Sequence, residues 1–140
     1  MRAAVAEASR LLPDFALVAG GKSFGGRMTS QAQASSPLPG VRGLVFLGFP
    51  LYPAGHPSNE RGDHLLEIKV LMLFLQGSRD ALADTEFVSA LVKRLGKRAT
   101  LKLFQDADHS FHVPARTGRQ DAEVRAGMLD ELAAWLGTLP

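Results

Sequence analysis

The chain has 140 residues, the length of one domain, and with 46% hydrophobic and 21% charged residues it has the composition of a folded protein rather than a disordered one. It has no cysteine, which excludes disulfides and thiolate zinc sites. The net charge is +2 from scattered basic residues, no apolar run reaches the roughly 20 residues that span a bilayer, and the N-terminus lacks a signal-peptide pattern, so we expect a cytoplasmic protein that binds neither nucleic acid nor membrane.

The first half of the chain alternates helical and strand patterns. In order, these predict a helix, a strand, a helix and a strand, at residues 2–12, 15–20, 24–34 and 43–50. Pro13 ends the first helix, and Gly20 and Gly21 are expected to stop the first strand. Residues 50–67 are rich in Pro, Gly, His and Asn and indicate an irregular excursion.

The second half continues the alternation. It predicts a strand, a helix, a strand and a helix, at residues 69–77, 84–96, 99–105 and 119–137. The strand KVLMLFLQG is apolar on both faces, as a covered parallel strand should be. Strands alternating with helices favour one α/β domain over 1–140, a parallel doubly wound sheet of about four strands flanked by helices.

The segment VAGGKSFGGRMTS, residues 18–30, fits two catalytic patterns. GKS is the end of a phosphate-binding loop, but that motif requires a glycine where the chain has Ala16, inside the apolar strand. GKSFG is also G-x-S-x-G, the strand-to-helix turn that exposes a nucleophilic serine, with Gly21 and Gly25 small enough for strand and helix to approach. The strand before Ser23 and the helix after it favour the second interpretation.

Two later strands end in residues that complement a serine. The third strand is followed by QGSRDALAD, which contains Asp80, and the fourth by QDADHSFHVP, which contains His109. The carboxyl ends of parallel strands meet at one edge of a sheet, so Ser23, Asp80 and His109 are expected at the same rim.

Together GGKSFGG, GLVFLGFPLYPAGHP, LFLQGSRDAL and DADHSFHVP resemble the small bacterial serine α/β-hydrolases, akin to dienelactone hydrolases, over essentially the whole chain. The resemblance implies Ser23 as nucleophile, Asp80 as orienting acid and His109 as general base, with the Phe24 N–H as an oxyanion donor. It implies cleavage of a small-molecule carboxylic ester with no cofactor and no metal. The rival interpretation is a non-catalytic scaffold of the same fold that binds a partner.

Several other residues have simpler explanations. Asp84 suits a helix cap, and Asp108 adjoins the histidine. The remaining candidates are loop histidines and a lysine beside the turn: His56, His64, His112 and Lys22. Phe49, Tyr52 and Phe111 are candidates for the wall of an acyl pocket, although aromatic residues more often lie in a core.

No H-G-G or H-G-x-G stretch precedes Ser23, so the loop that would supply a second oxyanion N–H is not found before the nucleophile. FALVAG, which the resemblance places in the middle of a larger sheet, would here be an edge strand. Exposed edges pair with other chains. We therefore expect a homo-oligomer through this edge or aggregation, with weak activity, and a truncated chain or a contribution from another chain would explain the missing loop.

Overall fold

The computed structural model describes residues 1–140 and contains one four-stranded parallel sheet in the order β1-β2-β3-β4. The strands are β1 Leu17–Lys22, β2 Val41–Leu47, β3 Leu71–Gly77 and β4 Ala99–Phe104. The helices are α1 Arg2–Leu11, α2 Phe24–Ser35, α3 Thr85–Leu95 and α4 Asp121–Leu136. The α/β class expected from the sequence is confirmed.

The prediction that two glycines stop the first strand is wrong. Gly20 pairs with Val45 and Gly21 with Phe46 in the β1–β2 register, and the strand runs on to Lys22. Close packing is the reason for glycine at these positions, because a Cβ on Gly20 would overlap the Val45 carbonyl oxygen. The glycines therefore belong to the sheet rather than to a loop.

The excursion after β2 is partly regular, unlike the prediction. β2 ends at Leu47 because Gly48, at φ 71°, turns the chain away from the sheet. A 3₁₀ helix then spans Glu60–Glu67. Its Leu65 is fully buried, and Ile68 just after it is 1% exposed, so apolar anchoring holds this segment against the domain.

The sheet has a large apolar cluster on one face and a smaller one on the other. Strand order that follows chain order, with right-handed crossovers, puts the connecting helices on one face. The larger cluster lies on this face and consists of sixteen buried residues, including Val88, Leu91 and Leu95 of α3. Eight form the other, in which Val124 and Trp135 of α4 cover the sheet. Both faces of β3 are thus buried, as its sequence predicts.

Helix ends follow local sequence signals. The Asp84 side chain accepts a hydrogen bond from the Glu86 N–H at the start of α3, which is the cap expected of it. Gln120 and Glu123 form a reciprocal capping box at the start of α4. These caps fix where the chain enters the two helices that flank the acid and histidine loops.

The two edge strands differ. Each face of β1 has an apolar depression. One, of about 260 Å³, is lined by β1 and α1, and the other, of about 320 Å³, by β1 and α4. On β4, Lys102 forms an ion pair with Glu131 of α4 at 3.0 Å. None of the helices combines the length and the apolar character needed to cross a bilayer.

Candidate active site

Ser23 is the single residue between the end of β1 and the start of α2. Its backbone has φ 50° and ψ −122°, a sparsely populated conformation that costs a non-glycine residue about 1–3 kcal/mol. Two hydrogen bonds hold it: its N–H donates to the Leu47 carbonyl at 3.0 Å, and its own carbonyl accepts from the Arg27 N–H at 3.1 Å. With no loop between β1 and α2, the phosphate-loop alternative has no structural counterpart.

Glycine at two positions allows strand and helix to meet at this turn. A Cβ on Gly26 would lie 2.6 Å from the Gly21 carbonyl oxygen and 3.2 Å from the Phe46 ring. A Cβ on Gly21 would lie 3.0 Å from the backbone of Gly25 and Gly26. By contrast, a Cβ on Gly25 would meet nothing within 4 Å. A side chain would therefore clash at Gly21 and Gly26, whereas Gly25, the second glycine of the motif, has room for one.

Ser23, His109 and Asp80 form a continuous hydrogen-bonded chain. His109 Nε2 lies 2.8 Å from Ser23 Oγ, and His109 Nδ1 lies 2.7 Å from Asp80 Oδ2. A carboxylate can only accept, so the proton is assigned to Nδ1, and Nε2 is left to accept from the serine hydroxyl. The His109 side chain is 22% exposed and that of Asp80 is 0% exposed. Three side chains from the ends of β1, β3 and β4 thus meet at one rim.

Asp80 has two further donors besides His109. The Leu82 N–H donates to Oδ1 at 2.8 Å, and the Gln76 side-chain amide donates to Oδ2 at 2.7 Å. Gln76 was not singled out from the sequence. Its signal was a polar residue near the end of an otherwise apolar strand, LMLFLQG. Both carboxylate oxygens are therefore hydrogen-bonded, which fixes the orientation of the acid.

The loop that carries His109 is shaped by two aspartates. Asp108 Oδ1 accepts the N–H groups of Ser110 at 2.8 Å and His112 at 3.0 Å. Asp121 Oδ1 accepts the Val113 N–H at 3.0 Å. Asp108 thus has a structural role in the turn and lies outside the chain of side chains that reaches Ser23.

Gly48 faces His109. A Cβ at this position would lie 3.3 Å from the His109 carbonyl oxygen and 3.4 Å from its Nδ1 and Cε1 atoms. The positive φ of Gly48 and this close approach both favour glycine. The loop after β2 is consequently one wall of the space that holds the imidazole.

Phe24, the expected oxyanion donor, is the first residue of α2. An N–H in the first turn of a helix has no intrahelical acceptor, so this donor is free to meet a charge that develops beside Ser23. Phe24 is 65% exposed, and Ser23 beside it is half-buried.

The other histidines and Lys22 lie outside the hydrogen-bonded chain of Ser23, His109 and Asp80. His64 Nε2 is 2.7 Å from Ser30 Oγ, and burial together with the nearby Arg27 lowers the pKa of this imidazole. The Asp121 carboxylate, which contacts His112 Nδ1 at 2.9 Å, raises the pKa of His112. His56 is exposed in the loop after β2, and Lys22 is exposed at the end of β1. Nowhere do three His, Cys, Asp or Glu side chains form a group able to hold a metal ion.

The three candidate pocket aromatics are buried. Phe49 is 1%, Tyr52 3% and Phe111 5% exposed. The Phe49 ring packs against other phenylalanines of the larger cluster, the Tyr52 hydroxyl accepts the Asp84 N–H at 2.5 Å, and Phe111 packs in the smaller cluster. Apolar packing takes up most of the surface of these three rings, and their role in an acyl pocket stays a prediction.

A sequence model of the alpha/beta hydrolase domain family matches residues 1–137. The esterase domain of a Rhodothermus marinus protein has a TM-score of 0.72 at 19% identity, over 99% of this chain and 66% of that one. A Xanthomonas campestris α/β serine hydrolase without lid has a TM-score of 0.65 at 23% identity, over 99% and 55%. An α/β serine hydrolase homologue from Coxiella burnetii has a TM-score of 0.62 at 18% identity, over 77% and 48%.

This chain spans about half to two thirds of the length of those structures. At such identities the likeness concerns the fold, a parallel sheet flanked by helices. The family match covers nearly every residue and includes the serine turn, the acid loop and the histidine loop. The chain belongs to the alpha/beta hydrolase domain family.

Proposed function

We propose that the chain carries the nucleophile, base and acid of a serine hydrolase that cleaves carboxylic esters through an acyl-enzyme intermediate. The observation that supports this most directly is the unbroken succession of hydrogen bonds from Asp80 to His109 to Ser23, at 2.7 and 2.8 Å. Nucleophile, base and orienting group in hydrogen-bonding contact are the parts that acyl transfer requires. The fold likeness to a domain described as an esterase agrees with this choice.

The chemistry has two stages. In the first, Ser23 Oγ attacks the acyl carbon while its proton moves to His109 Nε2, and the Oγ–C bond forms. The Phe24 N–H donates to the oxyanion, and collapse breaks the C–O bond to the alcohol, which takes the proton from His109. In the second, a water gives its proton to His109 and attacks the acyl carbon. The Oγ–C bond then breaks, the carboxylic acid is released, and His109 returns the proton to Ser23 Oγ.

Asp80 acts through His109. Its Oδ2 accepts the Nδ1 proton, which leaves the unprotonated nitrogen facing the serine, and its charge stabilises the imidazolium formed in each stage. Because the Asp80 side chain is fully buried, this interaction is little screened by water. The strained backbone of Ser23 presents the hydroxyl at the end of β1.

Labelling with a fluorophosphonate tests the proposal directly. The probe needs only a nucleophilic serine and a base, so it reports the site even where turnover is slow. Wild-type protein should be labelled, and Ser23→Ala and His109→Ala should not. Ser35→Ala, which removes an exposed serine at the end of the helix that follows Ser23, is the matched control and should be labelled like the wild type.

Hydrolysis of p-nitrophenyl acetate gives the second measurement. Ser23→Ala should reduce kcat by about 10⁴-fold or more. A folded wild-type sample that is neither labelled nor active would refute the proposal and favour the non-catalytic scaffold. Labelling that persists in Ser23→Ala would place the reactive serine elsewhere.

A further inference from the structure

Gln76 is the one polar residue near the end of β3, and its side chain is completely buried. It lies between the loop after β2 and the loop that contains Asp80. A buried amide costs free energy unless its groups are paired, so its two hydrogen bonds indicate what the position requires.

Both ends of the Gln76 amide are paired. Its Oε1 accepts the Phe49 N–H at 3.0 Å, and its Nε2 donates to Asp80 Oδ2 at 2.7 Å. A backbone N–H needs an acceptor and a carboxylate needs a donor, so the orientation of the amide is fixed from both sides. Asp80 Oδ2 is also the oxygen that accepts from His109 Nδ1. Gln76 therefore acts on the atom that orients the base.

We propose that Gln76 is a positioning residue of the hydrolase: it holds Asp80 Oδ2 toward His109 and shares the negative charge of that oxygen. This inference rests on the proposed function, because the role concerns the base of the Ser23 reaction. The same amide joins the acid to the loop after β2, whose Gly48 faces the imidazole ring. One side chain thus connects Asp80, which orients His109, to the loop that borders the imidazole ring.

Gln33 supplies a matched comparison for a purely structural role. It is also a buried glutamine, 5% exposed, and its Oε1 accepts the Leu38 N–H at 2.9 Å. It lies ten residues beyond Ser23 on α2, about 15 Å along the helix axis at 1.5 Å per residue. Gln33→Met and Gln76→Met should both destabilise the fold, and Gln33→Met should do so without affecting the acid.

Gln76→Glu separates the two bonds of the amide. A carboxylate still accepts the Phe49 N–H, but it places an acceptor against Asp80 Oδ2 where there was a donor. The added negative charge near His109 favours the imidazolium. We expect kcat for p-nitrophenyl acetate to fall about 10- to 100-fold with KM nearly unchanged, and the acidic limb of the kcat/KM profile to move to higher pH.

A double-mutant cycle with Asp80→Asn isolates the route of the effect. If Gln76 acts through Asp80, Gln76→Met should lower kcat by about tenfold in the wild type and by less than about threefold in the Asp80→Asn background. Gln33→Met should leave the pH profile unchanged and kcat within about twofold of the wild-type value. Equal losses in both backgrounds, or a Gln33→Met profile that moves like that of Gln76→Glu, would overturn the assignment.

NMR titration of the histidine rings keeps the test independent of turnover. Signals of His109 are assigned by their loss in His109→Gln, and the pH at which they change should be higher in Gln76→Glu than in Gln33→Met. An unchanged titration would refute the role of Gln76 even in an active enzyme. If the wild type is neither labelled nor active, the proposed function fails, while a shifted titration would still support the contact of Gln76 with the acid–base pair.

Discussion

The proposed nucleophile and the proposed acid–base pair are held in different ways. Ser23 is positioned by backbone geometry: a strained φ, a one-residue turn and the close contact of Gly21 with Gly26. Asp80 and His109 are positioned by polar side chains and loop hydrogen bonds, with three donors on one buried carboxylate. Mutations should therefore affect the two parts differently. Damage to the turn should appear first as lost stability, and damage to the polar network as lost activity.

Among the variants that compare the two parts, Asp80→Asn should give the largest effect, and it tests the polar network. An amide cannot stabilise the imidazolium, and it favours the wrong tautomer of His109. We expect kcat to fall by about 10³–10⁴-fold while the melting temperature changes by only a few degrees. Ester hydrolysis and thermal denaturation measure the two quantities. A loss of activity that merely follows unfolding would remove the distinction between the two parts.

Gly26→Ala and Gly25→Ala form a pair on the backbone side. The added methyl at Gly26 would press on the Gly21 carbonyl and the Phe46 ring, so the free energy of unfolding should fall by about 1–3 kcal/mol. At Gly25 the methyl meets open space, and alanine improves helix propensity by about 1 kcal/mol. Urea denaturation of the two variants compares them. Equal destabilisation would show that the turn is not set by the Gly21–Gly26 contact.

His112→Gln should give the smallest effect, and it tests an ion pair of the loop that carries His109. Asp121 raises the pKa of His112, and His112 lowers that of Asp121. The pair therefore stabilises the fold mainly from about pH 4 to pH 6.5, and its contribution is lost as pH rises through the raised His112 value. The melting-temperature difference from wild type should be largest near about pH 5–6 and should vanish once the pH exceeds the raised pKa of His112. His56→Gln, at an exposed loop histidine, is the control, and a difference independent of pH would contradict this account.

The sequence predicted the parts of the site that are marked by local chemistry. G-x-S-x-G between a strand and a helix placed Ser23, and polar loops after two apolar strands placed Asp80 and His109. Contacts between distant segments were not visible in the same way. The contribution of Gln76 depends on Phe49 and Asp80 meeting it from two loops, and the contact of Gly26 with Gly21 depends on how the helix packs on the strand.

Burial is a second property that the sequence did not reveal. An aromatic residue beside a catalytic motif has the same composition whether it faces a substrate or the interior, so the sequence left Phe49, Tyr52 and Phe111 open. Two glycines after an apolar run look alike whether they end a strand or remain paired within it. Pairing with β2 distinguishes the two cases, because Val45 and Phe46 continue the register beside Gly20 and Gly21.

The uncovered side of β1 has a kinetic consequence. This strand runs directly into Ser23, and its outer backbone and both apolar depressions are open to another segment. The homo-oligomer expected from the sequence would add a strand of a second copy there, since exposed edges pair with other strands. Any such addition would stiffen or shift the turn that holds the hydroxyl. Hydrolysis per molecule would then vary with dilution, and a rate constant would have meaning only together with the concentration at which it was obtained.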